Sequence, residues 1–329
     1  CSFMNKIFSN LFKKDWFGLL IVVIFGALII SVLKPAFVSS FNLYVLMSSI
    51  SLMLIVAMSQ MIIIAIGQMN LSVGAIGGLV AISFAGLMEV YDMPIFIAAS
   101  IGIVIGVSAG FFNGYITAKT GISAFIITLA TLYVFKGINL GITEAQPFYK
   151  IPDAIRVFGN GKIIGPIPYL IIIPLIVTFV MWILMTKTKM GRYMLAYGNS
   201  IQSSELMGIS STQIVITAHV ISGLLAGIAG MLVVCRLSLG TPNIGDAWLL
   251  PSFAAPVIGG AILAGGKVDV LATALAVVIV AIISQSLVIF KVDPFFVQIF
   301  LGFMILFAVL INRYREYQEE SKKKIFVHE

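Results

Sequence analysis

The chain has 329 residues, 60% hydrophobic and 10% charged, with a mean hydropathy of +1.12 and a formal net charge of +7. A soluble domain carries about 45–50% apolar and about 25% charged residues, so this balance excludes one. Its two cysteines, Cys1 and Cys235, exclude a disulfide framework and a CxxC metal pair.

Residues 1–3 precede Met4 and read as a cloning remnant, with a lipidated Cys1 as the alternative. Within 1–16, Ile7, Phe8, Leu11 and Phe12 lie against Lys6, Lys13 and Lys14, which predicts a short amphipathic segment on the inner membrane surface. Apolar stretches follow at 17–34, 43–67, 70–90, 93–118, 122–142, 167–186, 212–235, 251–265, 268–290 and 294–312. Most reach the about 20 residues that cross a hydrocarbon core as a helix. Barrel strands would alternate apolar and polar residues, and these runs do not. The expected fold is therefore an all-α polytopic membrane protein of about ten transmembrane helices, some broken by Gly-rich segments. The transmembrane domain is expected over 17–312 and a cytoplasmic tail over 313–329. The stretch at 251–265 is short and rich in Gly and Pro, so a full crossing is not assured there.

Gly102, Gly106, Gly110 and Gly114 recur every fourth position on one face of the fourth stretch, and Gly223/Gly227 with Ala226/Gly230 repeat the pattern on the seventh. Small residues so spaced let helix backbones approach closely. Packing within the chain is the expected use, and a dimer seam is the alternative. Glycine-rich breaks at 67–74 and 259–266 interrupt apolar sequence without enough polar residues for a loop. Each reads either as a tight inner turn or as a break at membrane depth beside a transport pathway.

None of the 13 Asp and Glu residues lies in the middle of an apolar stretch. That argues against coupling to a proton or Na⁺ held by a buried carboxylate, and so against a secondary transporter. About ten crossings place both termini on the cytoplasmic side. Lys6, Lys13, Lys14, Lys119, Lys187, Lys189, Arg192, Lys267, Arg313, Arg315 and the 322–324 lysines then face inward. They outnumber the outward Lys34, Lys150, Arg156, Lys162, Arg236 and Lys291. The basic excess follows the positive-inside rule, so no nucleic-acid partner is expected.

The outer connection at 143–166 carries Pro147, Pro152, Gly159 and Pro166 and is long enough to dock something outside. The inner connection at 187–211 spaces Met194, Leu195, Ile201, Leu206 and Met207 at near-helical intervals, with Gly198 and Gly208 as stops. It reads equally as an interfacial linker helix or as a surface helix that receives a cytoplasmic partner.

Gly265-Gly266-Lys267 fails as a phosphate-binding loop: position 261 is Ala, position 268 is Val, and no strand precedes it. No catalytic or metal-ligating constellation is present in the sequence. His219 lacks an acidic partner in sequence, so a hydrogen-bonded structural or cavity-lining role is expected. Lys136 is expected to snorkel outward. The remaining polar residues within spans are mostly uncharged: Gln60, Gln68, Asn70, Ser72, Asn113, Thr128, Thr131, Asn139, Gln285 and Gln298. They suit weak binding of a neutral, hydroxyl-rich solute, or helix–helix hydrogen bonds.

The sequence resembles the permease subunits of bacterial ABC importers for ribose, xylose and galactofuranose, within the branched-chain amino acid/sugar permease superfamily, a group that includes autoinducer-2 permeases. The likeness runs over nearly the whole chain. It rests on 67–74 (GQMNLSVG), on 124–129 with Gly137, on Thr188, Gly191, Arg192, Ala196, Gly198, Asn199, Gly208, Ile209 and Ser210, and on 257–260 with Gly265 and Gly266. Asn70 stands where the pattern has Asp, and Leu249 where it has Glu. The resemblance implies a second permease subunit (identical or related), two cytoplasmic ATPase subunits that carry ATP and Mg, and an extracytoplasmic solute-binding protein. It implies that this chain binds no cofactor itself and lies in the bacterial cytoplasmic (inner) membrane. It also implies that 190–209 is the coupling element, through Gly191, Arg192, Ala196, Gly198, Glu205 and Gly208. Asn70, Ser72, Thr128, Gln60 and Asn139 are the expected pathway residues. The expected cargo is a neutral pentose or hexose, with autoinducer-2 or a nucleoside as the alternative.

Overall fold

The computed structural model describes residues 15–293 and, beyond them, positions 296, 298–300, 302, 303, 306, 307, 309 and 310. Most of the amphipathic segment expected at 1–16 and all of the tail expected at 313–329 lie outside the described residues.

The helices are α1 (Asp15–Leu33), α2 (Ser40–Ala65), α3 (Val73–Tyr91), α4 (Ile95–Thr120), α5 (Ala124–Thr143), α6 (Asp153–Asn160), α7 (Ile172–Lys187), α8 (Lys189–Asn199), α9 (Ile201–Leu206), α10 (Ser211–Leu237), α11 (Leu249–Ile258) and α12 (Val270–Ile289). Eight of these or their immediate extensions are long and apolar enough to cross a membrane. Their starts are set by ordinary capping chemistry. Ser39 Oγ accepts from Asn42 N at 3.3 Å to open α2, and Asp269 Oδ1 accepts from Leu271 N at 2.8 Å and Ala272 N at 3.1 Å to open α12.

α2 is the axis of the bundle. Every residue from 55 to 65 is fully buried, including Ser59 and Gln60. α10 lies beside it and is buried along most of its length. By contrast Val22, Phe25, Leu28 and Val32 of α1, and Leu175, Ile176, Phe179 and Val180 of α7, are exposed apolar side chains, as lipid-facing helices require.

The glycine stripe of α4 packs within the chain, against α10. A methyl group on Gly106 would stand 2.8 Å from Gly223 O, and one on Gly114 would stand 2.9 Å from Ile216 Cα. Gly110 meets the backbone of His219, and Gly223 reciprocates against Gly106 and Gly110. The matched stripes bring the two backbones into contact, which compensates for the absence of a hydrophobic driving force between helices in lipid.

The stretch at 251–265 crosses as a composite. α10 ends at Leu237, and residues 238–248 return into the bundle as non-helical backbone along α3. Gly240 lies against Ala85, Ile244 against Gly78, Gly245 against Gly74 and Trp248 against Gly77. α11 completes the passage as a half-helix. The glycines of α3 leave the groove that this backbone fills. Irregular backbone at membrane depth is tolerated only when protein covers it. With this passage the described residues make nine crossings, and the tenth expected crossing falls on residues described only in part.

One end of the bundle carries α8 and α9, with Lys119, Lys187, Lys189, Arg192 and Lys267. The other carries α6, with Lys34, Lys150, Arg156, Lys162, Arg236 and Lys291. Among the described residues the two ends carry nearly equal numbers of Lys and Arg, and the rest of the expected inward excess lies at 1–14 and 313–329, outside the described residues.

Replacing Gly110 with Val should force α4 from α10 and destabilise the fold by about 1–3 kcal/mol. Gly26→Ala, on α1 with open space around it, should have no such effect. Thermal unfolding in detergent, followed by size-exclusion chromatography, checks both.

Candidate translocation and coupling site

Three glycines meet at the α8 end. α2 ends in a turn at Gly67, whose φ of +71° favours glycine. Gly266 N donates to Ala65 O, the last carbonyl of α2, at 3.0 Å. Gly198, near the end of α8, lies against Ala65 O and Gly266 N. A methyl group on Gly265 would stand 2.6 Å from Gly67 N and 2.9 Å from Gly198 Cα. Through Gly198 the 187–211 segment thus touches the end of α2 and the break at 259–266, and that break in turn meets Gly67, backbone to backbone. The break at 259–266 is a tight turn at this end.

The break at 67–74 begins as such a turn and then re-enters the bundle. Asn70 is its anchor. The Asn70 Oδ1 accepts from Ser72 N at 3.0 Å and from Ser72 Oγ at 2.8 Å, and its Nδ2 donates to Ser222 Oγ at 3.1 Å. Asn113 Nδ2 of α4 donates to Ser72 Oγ at 2.8 Å. Ser59 Oγ of α2 donates to Ser222 O at 2.8 Å. Thr128 Oγ1 of α5 accepts from Leu71 N at 3.1 Å. The Gln60 carboxamide, in the orientation that satisfies both its atoms, donates to Asn70 O at 3.0 Å and accepts from Asn70 N at 3.2 Å. His219 Nε2 lies 3.0 Å from Gln68 Oε1, the hydrogen-bonded role expected of it.

Of the five expected pathway residues, Asn70, Ser72, Thr128 and Gln60 meet in this one network, all fully buried. Asn139 lies apart, where its Nδ2 donates to Pro242 O of the non-helical crossing at 3.2 Å. The network satisfies backbone groups that no helix supplies with partners, and Asn at position 70 provides a donor to Ser222 that a carboxylate would lack. Ser59 and Ser222 escaped the sequence reading, because nothing distinguishes a serine facing a backbone break from one in ordinary helix packing.

On the α8 side of the network is a cavity of about 490 Å³, bounded by Gln68, Met69, Thr117, Ser123, Tyr197 and Thr212. Its volume falls in the range of small-molecule sites. Burial, and secondarily the nearby Glu205 carboxylate, raise the Tyr197 phenol above its ordinary value, so it stays a neutral hydrogen-bonding wall.

The residues expected to couple divide by face. Thr188 Oγ1 caps α8 by accepting from Gly191 N at 3.1 Å, and Gly191 is buried against the end of α7. Met194 and Tyr197 anchor the inner side. Arg192 faces away from the bundle, and Ala196 is half-buried. Ser200 caps α9, Glu205 Oε1 accepts from Ser211 Oγ at 2.6 Å, and Gly208 turns the chain with a φ of +79°. At the tip, Leu206 is 90% exposed and Met207 67% exposed.

Lys136 does not snorkel freely outward. Its Nζ lies 2.7 Å from Asp246 Oδ2, also contacts Asp246 Oδ1, and donates to Pro242 O at 2.9 Å. Asp246 sits in the non-helical crossing rather than in an outer loop, so one acidic residue reaches membrane depth after all. The sequence hid it because 238–248 lacks the apolar run that marks a helix crossing.

No solved structure matches the chain. Residues 42–309 match the family described as branched-chain amino acid transport system / permease component. The ribose import permease protein of Haemophilus influenzae is 32% identical over 249 residues, covering 74% of this chain and 76% of that protein. The D-allose transport system permease protein of Escherichia coli K12 is 34% identical over 245 residues, 74% of each chain. The autoinducer 2 import system permease protein of Klebsiella pneumoniae is 28% identical over 269 residues, covering 79% of this chain and 80% of that protein. On the family match and the eight apolar helices, this multi-pass membrane protein belongs to the branched-chain amino acid transport system permease component family and is a transport permease rather than an enzyme.

Proposed function

We propose that the chain is the membrane-spanning subunit of an ABC importer for a neutral sugar, a pentose or hexose, driven by separate ATPase subunits at its α8 end. The observation that carries this reading is the junction of Gly67, Gly198 and Gly265. On one side of it stand the exposed Leu206 and Met207, and on the other the buried break held by Asn70. An exposed apolar tip of that kind suits burial against a protein partner, since apolar surface left uncovered commonly marks an interaction site. A push on α9 is passed through backbone contact, with no soft side chain between, to both breaks.

In this reading α8 and α9 face the cytoplasm, as do both termini, and the chain lies in the bacterial cytoplasmic membrane. Two such subunits, identical or related, enclose the pathway. Two ATPases, which bind the ATP and Mg, grip the 187–211 segments, and a solute-binding protein delivers cargo to the α6 side. Gly191 and Gly198 hold the segment to the bundle, Arg192 and Glu205 orient its outer face, and Ala196 and Gly208 permit its packing and turn. The pathway residues Asn70, Ser72, Thr128 and Gln60 latch the break in the closed state, and their release toward the 490 Å³ cavity opens it inward. Asn139 serves the α6-side half. The ribose and D-allose relatives favour a sugar as cargo, and the autoinducer 2 relative keeps that solute, with nucleosides, as the alternative.

In liposomes holding the chain with its ATPase and binding protein, uptake of D-ribose or D-allose should require ATP. Uptake that persists without the ATPase would instead indicate a secondary transporter or channel. Leu206→Asp should lower ATP-driven uptake at least about tenfold, the effect of losing one hot-spot contact, while leaving the chain folded. Arg192→Glu should leave ATP hydrolysis running without uptake, and unchanged uptake would remove Arg192 from the coupling face.

A further inference from the structure

Ionised side chains at hydrocarbon depth face protein or water, because lipid cannot solvate them. Lys136 lies about 18 Å along α5 from Ala124 and about 10 Å short of its end at Thr143, well inside the span. Its partner Asp246 springs from the crossing where Gly245 meets Gly74 and Trp248 meets Gly77, in the first turns of α3. From there α3 continues about 20 Å to Tyr91 at the α6 end. The pair is therefore deep, yet it is not enclosed. The lysine side chain is 26% exposed and the aspartate side chain 55% exposed in the single subunit. Asn243 and Ala247 beside it are exposed too.

The hydrogen-bond arithmetic is lopsided. An ammonium group has three N–H donors, and Lys136 directs its donors to both Asp246 oxygens and to Pro242 O. A carboxylate offers about four lone-pair sites, so Asp246 keeps acceptor capacity on its exposed side. Such a group, deep and uncovered in the single subunit, is suited to hydroxyl donors and not to a cation, since the neighbouring ammonium already neutralises its charge.

We infer that Asp246, fixed by Lys136, is a solute-contacting acceptor in the α6-side half of the pathway, taking hydrogen bonds from the hydroxyls of a neutral polyol as it passes. This rests on the permease reading above and names a residue of its pathway that neither apolar patterning nor the resemblance assigns.

The test uses the reconstituted importer with Cys1→Ser and Cys235→Ala. Asp246→Cys should react with a membrane-impermeant cationic thiosulfonate at least about tenfold faster than Val104→Cys, an exposed apolar position in the middle of α4. Added D-ribose or D-allose with binding protein should slow that reaction. Should Asp246→Cys fail to assemble, Asn243→Cys reports on the same face with the ion pair intact. The double variant Lys136→Met/Asp246→Leu removes the pair without stranding a charge. It should raise the KM for uptake about tenfold, the loss of one or two hydrogen bonds to solute, with ATP hydrolysis unchanged. Labelling of both cysteine positions no faster than Val104→Cys would overturn the inference, with the face sealed by a second copy or by lipid. So would normal KM in the double variant, which would make the pair purely structural. Either result in an importer that takes up sugar leaves the permease reading standing, whereas absence of any ATP-driven uptake overturns that reading.

Discussion

A bilayer offers no hydrogen bonds, so every amide and carbonyl at hydrocarbon depth must find its partner inside the protein. Most of this chain meets that demand with helices. Among the described residues two segments do not: 68–72, between α2 and α3, and 238–248, before α11. Much else in the fold serves them. The glycines of α3 make the groove in which 238–248 lies, and Gln60, Asn113, Thr128 and Ser222 pair with backbone and side-chain groups of 70–72. The fully buried axis of α2 and the backbone contact of α4 with α10 give both a rigid setting.

In the proposed mechanism this arrangement couples the surface to the interior. A helix sliding in lipid would absorb a small push through rotamer changes. Here Gly198 meets Ala65 O and Gly266 N with no side chain between them, and Gly265 meets Gly67. On the proposed reading, displacing α8 presses on the end of α2 and on the 259–266 turn, and through Gly265 on Gly67. In the proposed mechanism the Asn70 network is the adjoining two-state element: closed, it is paired apart from the buried Asn113 Oδ1, and opened, its groups pass to water or solute at small net change in hydrogen bonding. Such near-balance is what allows a modest mechanical input to shift a population.

The bundle was legible in the sequence because hydrocarbon thickness imposes a length of apolar run that few other structures need. The α4 and α10 stripes were legible because a four-residue spacing puts Gly102 to Gly114 on one face, although spacing alone left open whether their partner was a second subunit. The composite crossing was only half legible. Gly and Pro marked α11 as short, but 238–248 reads like a loop, since extended backbone lying in a glycine groove needs no apolar run of its own. Asp246 was hidden for the same reason. In the site, Asn70 and Ser72 stood out as polar residues in apolar surroundings. Their partner Ser222 did not, because pairing across 152 positions leaves no local trace. The exposure of Leu206 was equally invisible, since helical spacing predicts which residues share a face but not whether anything covers it.

The central claim is that pressure on α8 and α9 reaches the break at 68–72 through backbone contact. Hydrogen–deuterium exchange of the assembled importer, with and without ATP, tests it most directly. The buried amides of 70–72 should be protected without nucleotide and should exchange faster on ATP binding, together with 190–206 and 259–266. A change confined to 190–206, with 70–72 and 259–266 unaltered, would contradict the account.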